Sequence, residues 1–137
     1  MNILVVDDDD GCSQLLRDLL AQQPGYTPVF AANGAEGWWL LSDPARHFDL
    51  GIFDIKMPFV DGLSLLKRIR ETPKLKDLSI ILCTGINERR TVQEAVQFVV
   101  QHYIVKPYSG KAMLDKIHLV AQSLPQPRQA GINLVLN

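Results

Sequence analysis

Five short apolar runs alternate with five longer segments of helical periodicity along the sequence. Alternation of this kind predicts an α/β fold, a doubly wound five-stranded parallel sheet with helices on both faces. The runs are apolar throughout, as strands buried on both faces should be. The predicted strands cover residues 2–6, 27–31, 50–53, 80–83 and 103–105.

The helices are predicted from apolar stripes that recur about every 3.6 residues, over residues 11–22, 35–42, 62–71, 88–100 and 111–124. In the fourth helix the stripe consists of Val92, Ala95, Val96 and Val99. Prolines follow residue 124, so we expect one domain over residues 1–124 and a tail or the start of a linker over residues 125–137. Residues 131–136 of this tail are apolar enough to dock against another surface.

The composition excludes several classes of protein. No apolar run approaches the roughly 20 residues that span a bilayer, and the N-terminus lacks a secretory signal, so we expect a soluble, cytoplasmic protein without a membrane partner. A net charge of −1 gives no electrostatic basis for direct nucleic-acid binding by this domain. Cys12 and Cys83 occupy apolar positions and are expected to be free thiols.

Polar side chains follow four of the predicted strands. Functional groups of an open doubly wound sheet gather outside the carboxyl ends of its strands. The first strand is followed by Asp7 and Asp8, the third by Asp54, the fourth by Thr84 and the fifth by Lys106. Lys106 adds a compact positive charge and Thr84 a hydrogen-bond donor, so together the set surrounds a space suited to a small tetrahedral oxyanion.

The acidic run after the first strand has two explanations. Asp9 and Asp10 suit the cap and first turn of the following helix, where negative charge is favourable. Asp7 and Asp8 should instead meet Asp54, and two such charges about 4 Å apart repel by about 4 kcal/mol at an effective dielectric constant of about 20. A cation must therefore join them, and Mg²⁺ prefers such carboxylate oxygens.

These residues lie in motifs that resemble the receiver domain of two-component response regulators, over about residues 1–124. The matching stretches are ILVVDD at 3–8, DIKMP and DG within 54–62, CT at 83–84 and YIVKPY at 103–108. The resemblance implies the flavodoxin-like strand order 2-1-3-4-5. It also implies a switch that takes a phosphoryl group from a sensor histidine kinase or phosphotransfer protein, and not an enzyme acting on other substrates.

The resemblance assigns a metal site and an acceptor. It implies that Asp54 is the phosphoacceptor, that Asp8 binds Mg²⁺ directly and that Asp7 binds it mainly through water. It also implies that the backbone carbonyl of Lys56 completes the protein ligands.

The remaining implied roles concern the response to phosphorylation. Thr84 and Lys106 are expected to bind the phosphoryl oxygens, with a cis peptide bond between Lys106 and Pro107. Tyr103 is expected to be the aromatic switch residue, although it also suits a plain core or surface position. The switch would signal to an unidentified downstream protein through the face formed by helix 4, strand 5 and helix 5.

Several positions depart from the receiver pattern. Val99-Val100 replaces the frequent Gly-Ala, so the fourth helix is expected to run longer or end differently. Phe59 replaces a glycine and either narrows access to the site or packs against the third helix, of which we expect the packing. The resemblance implies that the side chains two positions beyond Asp54 and Thr84 influence attack of water on the aspartyl phosphate. Here Lys56 is unlikely to act as a base and Ile86 offers no hydrogen bond, which predicts a long-lived aspartyl phosphate.

Three alternatives remain beside the phosphoacceptor switch. One is a degenerate receiver that binds partners without phosphorylation, although the site residues are intact. A haloacid-dehalogenase-type phosphatase would need an acid at Lys56, and a flavodoxin-like flavin binder would need hydroxyl groups and glycine in its first loop.

Overall fold

Strands and helices alternate strictly in the computed structural model of the protein, which describes residues 1–57, 60–85, 88–98, 100 and 102–124. The elements are β1 (Asn2–Val6), α1 (Asp10–Ala21), β2 (Thr27–Ala31), α2 (Gly34–Leu41), β3 (Leu50–Asp54), α3 (Gly62–Arg70), β4 (Ser79–Thr84), α4 (Arg89–Val96), β5 (His102–Val105) and α5 (Gly110–Ser123). Within the described residues, these ends differ from the predicted ones by no more than one residue, except at the end of α4.

All five strands are parallel and form one sheet in the order β2-β1-β3-β4-β5, which confirms the predicted order 2-1-3-4-5. Val6 pairs with Phe53 between β1 and β3, and Asp54 pairs with Cys83 between β3 and β4. Because these strands end in register, the side chains that follow them lie at one edge of the sheet.

Helices cover both faces of the sheet, as predicted. Leu4 and Val6 of β1 point into a cluster that includes buried residues of α2, α3 and α4, whereas Ile3 and Val5 point into a second cluster with α1 and α5. The longest helix in the described part of the chain, α5, has 14 residues, so none of the helices described there could cross a membrane.

The two adjacent tryptophans of α2 have different surroundings, and the two cysteines are free as predicted. Trp38 packs against the core from α2, whereas its neighbour Trp39 is 69% exposed. Adjacent helical residues point about 100° apart, so only one of the two indoles can face the sheet. Cys12 and Cys83 are both free thiols.

The predicted extent of the fourth helix is wrong. α4 ends at Val96 and not at residue 100, and Val96 is 59% exposed although the predicted stripe placed it inward. After Val96 the Phe98 N–H bonds to the carbonyl of Ala95, while the Phe98 carbonyl accepts a hydrogen bond from Nε of Arg70 at 2.8 Å. The Arg70 guanidinium of α3 thus forms a hydrogen bond with the segment that follows α4.

Four predictions fall on positions that lie outside the described residues. They concern Phe59, Ile86, Val99 and the tail over residues 125–137.

Candidate functional site

The loop after β3 is shaped by the DG pair of the sequence. Asp61 caps α3, and its side chain accepts a hydrogen bond from the Ser64 N–H at 2.8 Å. Gly62 begins the helix, donates its N–H to the Ile55 carbonyl at 2.8 Å, and lies so close to β3 that a Cβ there would be 2.2 Å from the Asp54 backbone oxygen. Only glycine therefore lets α3 begin directly against the strand end that carries Asp54.

Three carboxylates meet at this edge of the sheet. Ligand oxygens of Asp7, Asp8 and Asp54 all lie within 4.8 Å of one another. Asp7 and Asp54 are 4% and 7% exposed, whereas Asp8 is exposed to solvent. Asp9 is not part of this cluster, because its side chain caps α1 as predicted. The structure therefore brings together the three acids that the sequence placed at one site.

Lys106 lies between two of these acids. Its Nζ atom is 3.0 Å from Oδ2 of Asp7 and 3.2 Å from Oδ2 of Asp54. The backbone N–H of Lys106 donates to the Thr84 carbonyl at 2.7 Å, which ties the loop after β5 to the end of β4. The peptide bond between Lys106 and Pro107 is cis, as the resemblance implied.

One ammonium does not neutralise three carboxylates, and the pKa of Asp54 reflects this. Burial and the charge of Asp7 raise the pKa of Asp54 from its ordinary value of 3.8 to about 6, against the opposing effect of Lys106. Burial lowers the pKa of Lys106, but its hydrogen bonds and charge contacts with Asp7 and Asp54 outweigh burial, so the net pKa is raised. Negative charge remains in excess at the site.

The donor set fits a hard divalent cation such as Mg²⁺, which takes carboxylate oxygens and keeps several waters. Oδ1 of Asp7 accepts the Asp9 N–H at 2.8 Å and Oδ2 contacts Lys106, so both oxygens of Asp7 are already engaged. Among the described residues, none donates a hydrogen bond to the Asp8 carboxylate. Asp8 is therefore better placed than Asp7 to bind an ion directly.

Thr84 and Tyr103 are the two residues expected to respond to phosphorylation. Thr84 is 4% exposed at the end of β4, and its hydroxyl donates to the Gly85 carbonyl at 3.0 Å. Tyr103 is half-buried on β5 and packs against the core, and its hydroxyl oxygen is buried without a hydrogen-bond partner in the described part of the chain. The switch role of this pair stays a prediction.

Glu88 is a member of the site that the sequence analysis missed. It is 9% exposed, its Oε2 accepts the Gly85 N–H at 3.1 Å, and its Oε1 lies 3.8 Å from Nζ of Lys56. Glu88 thereby connects the loop after β4, the loop after β3 and the start of α4. The available signal was an acid four residues after the strand-end threonine, which we interpreted only as the start of a helix.

Comparison with known proteins gives consistent results. Residues 3–118 match the family model of the response regulator receiver domain. The chain is 32% identical to the chemotaxis protein CheY1 of Helicobacter pylori over 121 residues, which cover 88% of this chain and 96% of CheY1. It is 29% identical to the 3′,5′-cyclic-nucleotide phosphodiesterase regA of Dictyostelium discoideum over 130 residues, which cover 94% of this chain but 16% of that protein.

The structure also resembles a signal receiver domain of a signal transduction histidine kinase from Syntrophus aciditrophicus. The TM-score is 0.81 at 25% sequence identity, and the match covers 93% of this chain and 94% of that one. The similarity therefore extends over nearly the whole described fold.

Proposed function

The chain belongs to the response regulator receiver domain family, and on this premise we propose that it is a phosphoacceptor switch of a two-component phosphorelay. Asp54 takes a phosphoryl group from a phosphohistidine on a sensor histidine kinase or phosphotransfer protein. Residues 1–124 form this domain, and residues 125–137 form a tail or the start of a linker. The domain acts in the cytoplasm through protein partners, without binding nucleic acid or membranes itself.

The observation that carries this proposal is the setting of Asp54. Its carboxylate is buried, contacts the ammonium of Lys106 at 3.2 Å and shares the site with two further acids. Three carboxylates share one ammonium here, so the cluster retains excess negative charge that a bound cation would offset. A pKa of about 6 leaves Asp54 largely ionised at neutral pH, as nucleophilic attack requires.

In the proposed reaction, an oxygen of Asp54 forms a bond to phosphorus while the bond from phosphorus to the imidazole nitrogen breaks. The products are an aspartyl phosphate and the free histidine of the donor. Mg²⁺ bound by Asp8 and Asp54, by Asp7 through water and by the Lys56 carbonyl would neutralise charge on the transferred group.

The side chains on the other side of the acceptor bind the new phosphoryl group. Lys106 stays within reach of its oxygens, because the ammonium already contacts Asp54. Thr84 leaves the Gly85 carbonyl and donates its hydroxyl to the phosphoryl group instead. This change of hydrogen-bond partner alters the loop after β4, where the Gly85 N–H is bound to Glu88 at the start of α4. Tyr103 then changes its packing. The face formed by α4, β5 and α5 thereby presents a different surface to the downstream protein.

Hydrolysis of the aspartyl phosphate is proposed to be slow. The Lys56 side chain lies 3.8 Å from the buried Glu88 carboxylate, and this ion pair makes Lys56 a poor candidate for the base that activates an attacking water. Decay of the isolated phosphoprotein within seconds would contradict this.

The test is to incubate the protein with Mg²⁺ and acetyl phosphate or phosphoramidate and to measure its mass. The wild type should gain one phosphoryl group, and Asp54→Asn should gain none. Asp18→Asn, a substitution of an exposed acid on α1, is the matched control and should be phosphorylated normally. If no donor, including a phosphorylated histidine kinase, modifies Asp54, the chain acts as a phosphorylation-independent interaction module.

A further inference from the structure

A large groove lies at the edge of the sheet opposite the acidic site. It occupies about 1130 Å³ between the loop over residues 42–49, the loop over residues 71–78 and the end of α5. Its apolar lining includes Trp38, Leu41, Phe48, Leu75, Leu78 and Leu124, and we name it the basal groove. Sites for small ligands have volumes of about 300–1,000 Å³, so the basal groove has room for a peptide of several residues.

The chain itself leaves the domain from this groove. α5 ends at Ser123, and Leu124 lines the groove in an extended conformation, with φ −72° and ψ 148°. Residues 125–130 follow, and six extended residues span at most about 20 Å. The apolar stretch over residues 131–136 therefore begins within reach of the groove through which the chain exits.

The composition of residues 131–136 suits the floor of the basal groove. The stretch reads GINLVL and contains no charged residue, so burying it desolvates no charge of its own. Left in water, an uncharged apolar segment rich in β-branched and leucine side chains promotes aggregation. Covering it against Phe48 and Trp38 removes both apolar surfaces from water at once.

We propose that residues 131–136 bind in the basal groove of the same molecule. The apolar lining of the groove, the position of Leu124 within it and the apolar sequence of residues 131–136 support this. Ile132, Leu134 and Leu136 alternate along the stretch, so in an extended conformation they face the same side. This side contacts the apolar lining, and Asn133 and Val135 face the other way. The proposal does not depend on phosphorylation, because the groove and the acidic site lie at opposite edges of the sheet.

The test uses the protein over residues 1–137 with the triple substitution Ile132→Ser, Leu134→Ser and Leu136→Ser. In a Trp39→Phe background, Trp38 of the groove is the sole tryptophan, and the triple substitution should shift its emission to longer wavelength as water enters. In a Trp38→Phe background, the remaining Trp39 is already 69% exposed and its emission should not change.

A second measurement needs no tryptophan substitution. Amide hydrogen exchange, read by mass spectrometry, should be several-fold faster in residues 42–49 and 71–78 of the triple variant than in the wild type. Exchange in α1, away from the groove, should be the same in both proteins and serves as the control.

Two outcomes would overturn the proposal. Trp38 emission and loop exchange that do not respond to the triple substitution would show that residues 131–136 bind elsewhere. Changes that appear only at high protein concentration, together with a dimeric mass in analytical ultracentrifugation, would show that a second copy covers the groove.

Discussion

Replacing Asp54 by asparagine should stabilise the folded protein at neutral pH when no divalent cation is present. Asparagine has nearly the shape of the protonated acid but carries no charge, so it removes the repulsion with Asp7 and the cost of burying a carboxylate. The substitution that abolishes the proposed phosphorylation is thereby expected to strengthen the fold.

The size of the effect follows from the pKa of Asp54. The folded state raises this pKa from 3.8 to about 6, so the folded protein holds the proton more tightly than the unfolded chain. The stability associated with the protonated form is fully present below about pH 4 and is lost as the pH rises through 6. A rise of this size corresponds to at most about 3 kcal/mol, and solvent at the rim of the site reduces the expected loss to about 2 kcal/mol.

Urea unfolding in EDTA between pH 4.5 and 8 measures this difference. Asp54→Asn should exceed the wild type in its free energy of unfolding by a margin that widens up to about pH 6 and is constant above pH 7. Asp18→Asn should follow the wild type at every pH. An Asp54→Asn protein that is less stable than the wild type at pH 7.5, or a margin independent of pH, would refute the argument.

The other predictions concern the metal and the two loops. Mg²⁺ at about ten times its Kd should stabilise the wild type by about 1.4 kcal/mol in thermal unfolding and Asp54→Asn far less; equal shifts would place the ion elsewhere. Gly62→Ala should cost about 1–3 kcal/mol in urea unfolding, because its Cβ would lie 2.2 Å from the Asp54 backbone oxygen. Gly110→Ala, whose Cβ would meet only a flexible leucine methyl group, is the control, and equal losses would contradict the close approach. Glu88→Gln should change stability by less than about 0.5 kcal/mol, since it removes only an ion pair with a 75% exposed lysine. Glu88→Leu should cost about 1–2 kcal/mol, because the Gly85 N–H loses its acceptor, and similar losses for both variants would contradict this assignment.

Most of the fold was predictable because local signals agree with the packing. Each strand is a short apolar run, and each predicted helix has a stripe that the sheet buries. The end of α4 was not predictable in this way. Just beyond this end, Arg70 of α3, which is distant in the sequence, donates to the Phe98 carbonyl. The apolar periodicity of the sequence predicts a helix up to residue 100. The hydrogen bond from Arg70 belongs to the tertiary structure, which periodicity does not reveal.

The acidic site was predictable for a different reason. Parallel strands that end at one edge bring Asp7, Asp8, Asp54 and Lys106 together whatever the details of packing, so strand ends alone locate the site. The sequence does not show which oxygen is occupied, and the structure does: both oxygens of Asp7 are engaged while those of Asp8 accept no hydrogen bond from described residues.

Glu88 shows what strand ends cannot reveal. Its burial, its hydrogen bond from Gly85 and its contact with Lys56 arise only when the loops after β3 and β4 come together, and neither loop has a periodic pattern. The Gly85 carbonyl accepts a hydrogen bond from the Thr84 hydroxyl, and the Gly85 N–H donates one to the Glu88 carboxylate. One residue therefore connects the acceptor site to the start of α4. If Thr84 moves toward a phosphoryl group as proposed, we expect the contacts of Glu88 and the start of α4 to change with it.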